Sequence, residues 1–157
     1  DPDLAPFCAE EDLPVCVMHS RGLPEVMQDM PLYEDVVLDV YDFLETQINH
    51  LIGQGIGRNR IIADPGIGFG KTVAHNLALL NRVSLFHSLG VPLLLGVSRK
   101  GFIGKITQEN VAEARVIGSV SAALTCLSQG VQIFRVHDVK ETRQAFDMWQ
   151  TIMFGRE

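Results

Sequence analysis

Side chains able to do chemistry gather in four short stretches of this chain. The first, IIADPGIGFGKT (residues 61–72), sets Asp64 at the end of an apolar run and follows it with glycines, Phe69, Lys71 and Thr72. A carboxylate there is costly to bury unless it meets donors. The paired N–H groups of an amidine or a 2-amino-pyrimidinone ring would satisfy it bidentately. Two ordinary roles compete: Asp64 caps the next helix or answers Lys71. The second stretch is Ser98-Arg99-Lys100, two cations and a hydroxyl close to Gly101 and Gly104; a plain surface basic pair is the alternative. In the third, Arg135 and His137 are one residue apart, so on extended backbone they point the same way. A guanidinium beside an imidazole donor suits a di- or triphosphate oxyanion. Asp138 either orients the imidazole or pairs with Arg135. The fourth is Met18-His19-Ser20-Arg21, where His19 is a candidate ligand contact or a structural hydrogen-bonding group.

The glycines of residues 61–72 do not make a nucleotide loop. A Walker A motif needs glycine five residues before the Gly-Lys pair, and before Gly70-Lys71 that position is Pro65. The dinucleotide fingerprint fails as well. Gly66 and Gly68 are spaced for it, but its third glycine would fall on Lys71.

Histidine and cysteine spacing argues against a metal held by this chain. No HxH, HxxxH or CxxC pair occurs. His50 and His87 sit in helical patterns and His75 near a helix start. Of three cysteines, Cys16 and Cys126 lie in apolar patterns and are expected to be small buried hydrophobes. An odd cysteine count without a framework fits a reducing cytoplasm. With net charge −6 and no basic run, nucleic acid and anionic membrane surfaces are poor partners. No apolar stretch is long enough to span a bilayer.

The elements that must position these groups are legible. Four apolar runs, residues 14–18, 60–64, 92–97 and 131–136, lack strict alternation, as parallel strands buried on both faces do. A helical stripe follows each. Val36, Val37, Val40, Leu44, Ile48, Leu51 and Ile52 form the first; Leu77, Leu80, Val83 and Leu89 the second, stopped by Gly90. Val116, Ile117, Val120, Leu124 and Leu127 form the third, with Asn110 and Glu113 as a predicted capping box. Thr142, Phe146, Trp149 and Met153 mark the last. Four strand–loop–helix units imply a parallel α/β sheet with right-handed crossovers. Nearly every reactive cluster then falls at the carboxyl ends of the strands, with Arg135 in the last strand near its end, where such folds place their sites.

Taken together, VMHSRGLPEVMQ (residues 17–28), IIADPGIGFGKT, LLLGVSRKGFIG (residues 93–104) and FRVHDVKET (residues 134–142) resemble the successive signatures of bacterial dihydropteroate synthase. That family is a (β/α)₈ barrel, the sulfonamide target. It joins 4-aminobenzoate to a hydroxymethyl-dihydropterin diphosphate in folate biosynthesis and releases pyrophosphate. The resemblance implies that Asp64 binds the pterin's amino-pyrimidine edge, Met18 packs on its ring and Gly68 admits it. It gives Lys100 the pterin's carbonyl side and the reacting centre, Phe69 and Arg99 the aminobenzoate mouth, and Arg135 and His137 the diphosphate. Mg²⁺ accompanies that diphosphate, with no metal ligand expected from this chain, and a cytoplasmic homodimer is implied.

Two departures from the family pattern stand out. Gly101 occupies a position commonly serine in the family, near the aminobenzoate carboxylate. A whole barrel needs about 250 residues, so residues 1–157 are expected to be the C-terminal part of one pterin-binding TIM-barrel domain, about four β-α units, its N-terminal half absent. Such a half-barrel exposes two apolar sheet edges and is expected to be inactive alone. A pterin-binding methyltransferase-like barrel and a non-catalytic assembly fragment are the alternatives. The first has no diphosphate to grip with Arg135 and His137.

Overall fold

The computed structural model describes residues 3–21 and 33–155. Residues 22–28 of the first motif lie outside the described residues. Helix α1 (Leu4–Glu10) leads into strand β1 (Val15–Met18), and α2 (Val36–Gly53) into β2 (Ile61–Asp64). Next come α3 (Val73–Asn81), β3 (Leu94–Leu95), α4 (Gly101–Thr107), α5 (Val116–Leu127), β4 (Ile133–Phe134) and α6 (Val139–Phe154).

The strands are parallel and follow one another in chain order. β1 pairs with β2 so that Met18 faces Asp64, and β3 pairs with β4. A single parallel bridge between Ala63 and Leu93 joins the two pairs. Neighbouring strands joined through helices are consecutive units of a TIM (β/α)₈ barrel. The chain holds four such units, a partial barrel.

Alternation along the strands separates two faces. Ile61, Ala63, Leu93, Leu95 and Val97 share one core with the α2 stripe of Val37, Val40, Leu44 and Ile48. On the other face, the barrel's interior side, Ile62 and Leu94 are only half-buried, and Cys16 and Met18 are exposed. Cys16 therefore contradicts the expectation of a buried hydrophobe. The β1 pattern turns it to the side that no helix covers, whereas Cys126 lies wholly within the core.

Two helical expectations are corrected. The stripe read as one helix from Leu77 to Leu89 breaks after Asn81, and a 3-10 segment (Val83–Leu89) carries it to Gly90 in left-handed backbone. Asn110 and Glu113 do not cap α5, which starts at Val116 without a side-chain cap. The capping box belongs to α3, where Thr72 Oγ accepts from the His75 amide at 3.2 Å and His75 Nδ1 from the Thr72 amide at 3.3 Å. The helices α1 and α4, seven residues each, are too short for a periodic signal. At the start of α2, Asp35 caps as a helix N-terminus requires, accepting from the Val37 amide at 2.9 Å.

Candidate active site

The carboxyl ends of the four strands bring the predicted residues to one face. Asp64 closes β2, is 8% exposed, and takes the Gly66 amide on Oδ1 at 2.7 Å. Burial pushes its carboxyl up, opposed by that amide and by the fields of Lys100, Lys71 and Arg135. Met18, beside it on β1, exposes about a third of its surface.

The loop after Asp64 is shaped by backbone that only glycine adopts comfortably. Gly66, Gly68 and Gly70 all have positive φ. A Cβ on Gly66 would collide with the His19 carbonyl oxygen, so the loop lies directly against the end of β1. The Gly68 amide donates to Asn76 Oδ1 at 2.7 Å, and a Cβ there would crowd the Lys100 side chain.

Lys71 makes no direct bond to Asp64, whose charge it feels only through space. Its Nζ has three acceptors for three protons: His19 Nδ1 at 2.9 Å, the Gly66 carbonyl at 2.9 Å and the Phe69 carbonyl at 3.0 Å. Burial pulls the ammonium down to about 7, with the Asp64 carboxylate holding it up. His19 is 6% exposed; burial and the neighbouring Lys71 charge lower it to about 4, so it accepts as a neutral ring. Both side chains are structural ties of the glycine loop. Asn76 and the Lys71–His19 pair escaped the sequence reading; the only signal was a polar residue inside the apolar opening of α3.

Lys100 links the Asp64 loop to the cationic side. Its Nζ stands 4.1 Å above the centre of the Phe69 ring, a cation–π contact. Burial lowers its ammonium, Asp64 raises it and Arg135 lowers it further. Beyond Lys100 opens a cavity of about 340 Å³ lined by Gly96, Ser98, Lys100, Glu113, Arg135 and His137, among others. Arg135 and His137 thus line one cavity. Met18, Asp64, Gly68 and Phe69 do not line this cavity; they border it across Lys100.

Asp138 neither orients His137 nor pairs with Arg135. Its carboxylate holds Arg99 through two bonds, 2.6 Å to Nη2 and 3.1 Å to Nε. Those bonds keep Asp138 below the usual carboxylate range and raise Arg99. Arg99 has a positive φ of 59°, held by the Ser119 hydroxyl accepting its amide at 2.8 Å and by Arg115 donating to its carbonyl at 3.1 Å. It lines the same cavity. Among the described residues no group of three His, Cys, Asp or Glu side chains lies together to hold a metal ion, and no helix is long and apolar enough to cross a membrane.

Parallel strands whose end loops bring together a carboxylate, a lysine and an Arg-x-His pair define part of an α/β barrel with a cluster of reactive side chains at its strand ends. The comparisons place it more narrowly. The chain belongs to the pterin-binding enzymes: residues 1–137 match the family described as "Pterin binding enzyme". It is 47% identical over 146 residues to a dihydropteroate synthase of Neisseria meningitidis serogroup B, covering 91% of this chain and 51% of that protein. Against the Escherichia coli K12 dihydropteroate synthase it is 40% identical, covering 100% of this chain and 55% of that protein. The dihydropteroate synthase structure from Stenotrophomonas maltophilia superposes with a TM-score of 0.95 at 38% identity, covering all of this chain and 59% of its own. A Xanthomonas albilineans dihydropteroate synthase solved with 4-aminobenzoic acid gives 0.92 at 40% identity, covering 98% and 54%. The chain spans about half the length of the curated relatives it matches.

Proposed function

We propose that these residues serve a dihydropteroate synthase, a transferase joining 4-aminobenzoate to 6-hydroxymethyl-7,8-dihydropterin diphosphate. The observation that carries this reading is Lys100, standing between buried Asp64 and the cavity of Arg135 and His137. One side offers a carboxylate for a ring edge and the other offers cations for an oxyanion. Lys100 stands where a methylene between them would react.

In this reading Asp64 receives the pterin's paired N–H groups, Met18 stacks on the ring, and Gly68 keeps the loop low enough to admit it. Phe69 and Arg99 shape the aminobenzoate entrance. The C–O bond from the methylene to the diphosphate breaks, the aminobenzoate nitrogen forms the new C–N bond, and its displaced proton passes to solvent. Arg135 and His137 hold the departing pyrophosphate and neutralise its growing charge. No nucleophilic side chain is needed, because positioning and leaving-group stabilisation lower the barrier. Mg²⁺, bound with the diphosphate, would screen its charge, and no described residue is assigned to hold it.

The 157 residues are read as the C-terminal part of the barrel domain, and turnover as a property of the whole barrel in a cytoplasmic homodimer. Calorimetry with the pterin diphosphate and Mg²⁺ tests the assignment. Arg135→Ala or His137→Ala should weaken binding about tenfold or more, the value of a lost charge-assisted bond. Unchanged affinity in both variants would remove the diphosphate grip.

A further inference from the structure

We infer that Ser98 is a positioning residue that fixes His137 in the tautomer carrying its proton on Nε2, so that a donor faces the cavity. The inference rests on the reading of that cavity as a diphosphate site, but its geometry stands apart from it. The β3–β4 ladder runs from the Ile133 amide to the Leu93 carbonyl and from the Arg135 amide to the Leu95 carbonyl. The next rung would join the His137 amide to the Val97 carbonyl, which instead accepts from the Lys100 amide at 3.4 Å. Ser98 Oγ takes the place of that carbonyl and accepts the His137 amide at 3.2 Å. The same oxygen lies 3.0 Å from His137 Nδ1.

Ser98 is 5% exposed, and a buried hydroxyl must place its one hydrogen. Its contact with the backbone amide uses a lone pair. Among the described residues, the acceptor left within reach is His137 Nδ1. The hydroxyl therefore donates to Nδ1, and the neutral ring carries its hydrogen on Nε2. Backbone and ring of His137 are both pinned by one oxygen, which fixes the imidazole beside Arg135. A neutral His137 can then donate to an oxyanion without first gaining a proton.

Nitrogen-15 spectra of the histidine-labelled chain, at a pH where the ring is neutral, read the tautomer directly; His137→Gln assigns the signal by its loss. The wild type should show Nδ1 as the bare nitrogen. Ser98→Ala should give an averaged tautomer pattern, and Ser98→Thr, which keeps the hydroxyl, should restore the wild-type one. A wild-type ring protonated on Nδ1, or a pattern unchanged by Ser98→Ala, overturns the inference; if the alanine variant does not fold, Ser98→Gly takes its place in the same comparison. Titration with inorganic pyrophosphate separates this from the reading beneath it. Ser98→Ala should weaken binding about three- to tenfold, the effect of one misaligned hydrogen bond. Indifference of both Ser98→Ala and His137→Gln to pyrophosphate, with the tautomers as stated, would overturn the diphosphate reading and uphold the tautomer assignment.

Discussion

His19 carries a cost that acid should expose. Its ring is buried and neutral with a folded value near 4, against an ordinary 6.5. The unfolded chain therefore binds more protons between those values, and stability falls as pH drops from 6.5 towards 4. The slope is bounded by about 1.4 kcal/mol per pH unit from this one group. Urea midpoints should fall across that window, and His19→Gln should flatten the loss; a His19→Gln curve parallel to the wild type would refute the assignment. Gly101 makes a second residue-scale prediction. Space for its missing side chain is open, with nothing within 4 Å of a Cβ, and its φ is not in the left-handed region. Gly101→Ser should fold without loss and, under the proposed function, tighten 4-aminobenzoate binding a few-fold by one hydrogen bond. Weaker binding would place the aminobenzoate carboxylate elsewhere. At this scale the sequence placed Asp64, Lys100, Arg135 and His137 at the carboxyl ends of strands, where the structure has them. It did not show their partners. Asp138 reaches Arg99 and Ser98 reaches His137 across 39 positions of chain, pairings that no local spacing encodes.

Among the elements, the glycine loop after β2 is the tightest join. Gly66→Ala sets a Cβ against the His19 carbonyl at φ +69°, so backbone strain and collision add, costing about 2–4 kcal/mol. Gly53, the last residue of α2, meets nothing within 4 Å and has an ordinary φ. Gly53→Ala should gain up to about 1 kcal/mol. Chemical denaturation of the two variants should move in opposite directions; equal shifts would mean that the loop does not press on β1 as described. The long elements were legible because α2 keeps its apolar spacing through five turns. The break after α3 was not, because the apolar spacing of Leu77, Leu80 and Val83 runs on across Asn81 into the 3-10 segment. Burial supplied by tertiary packing, and not local preference, decides such breaks.

The whole molecule is a four-unit arc whose outer face is packed and whose inner face stands open. Strand order, parallel sense and the location of the site followed from alternating strand and helix patterns. The inner face did not, since runs such as IIAD and PLLLGV read as buried on both sides. Cys16 reports on that face. It is exposed, while Cys8 and Cys126 are buried and burial raises Cys126 to about 12. A maleimide should label one thiol of the 157-residue chain quickly, and Cys16→Ser should abolish the fast phase. Fast labelling that survives the substitution would mean a different exposed face.

Under the proposed function, labour is divided between Asp64, which reads a heterocycle, and Arg135 with His137, which grip its diphosphate. Calorimetry with two ligands, the pterin alcohol and its diphosphate with Mg²⁺, separates the two roles across two variants. Asp64→Asn should weaken both ligands by a similar factor, about tenfold or more for a buried charged acceptor. Arg135→Ala should weaken the diphosphate and leave the alcohol unchanged. If Arg135→Ala weakened both ligands equally, or Asp64→Asn spared the alcohol, the division would be contradicted.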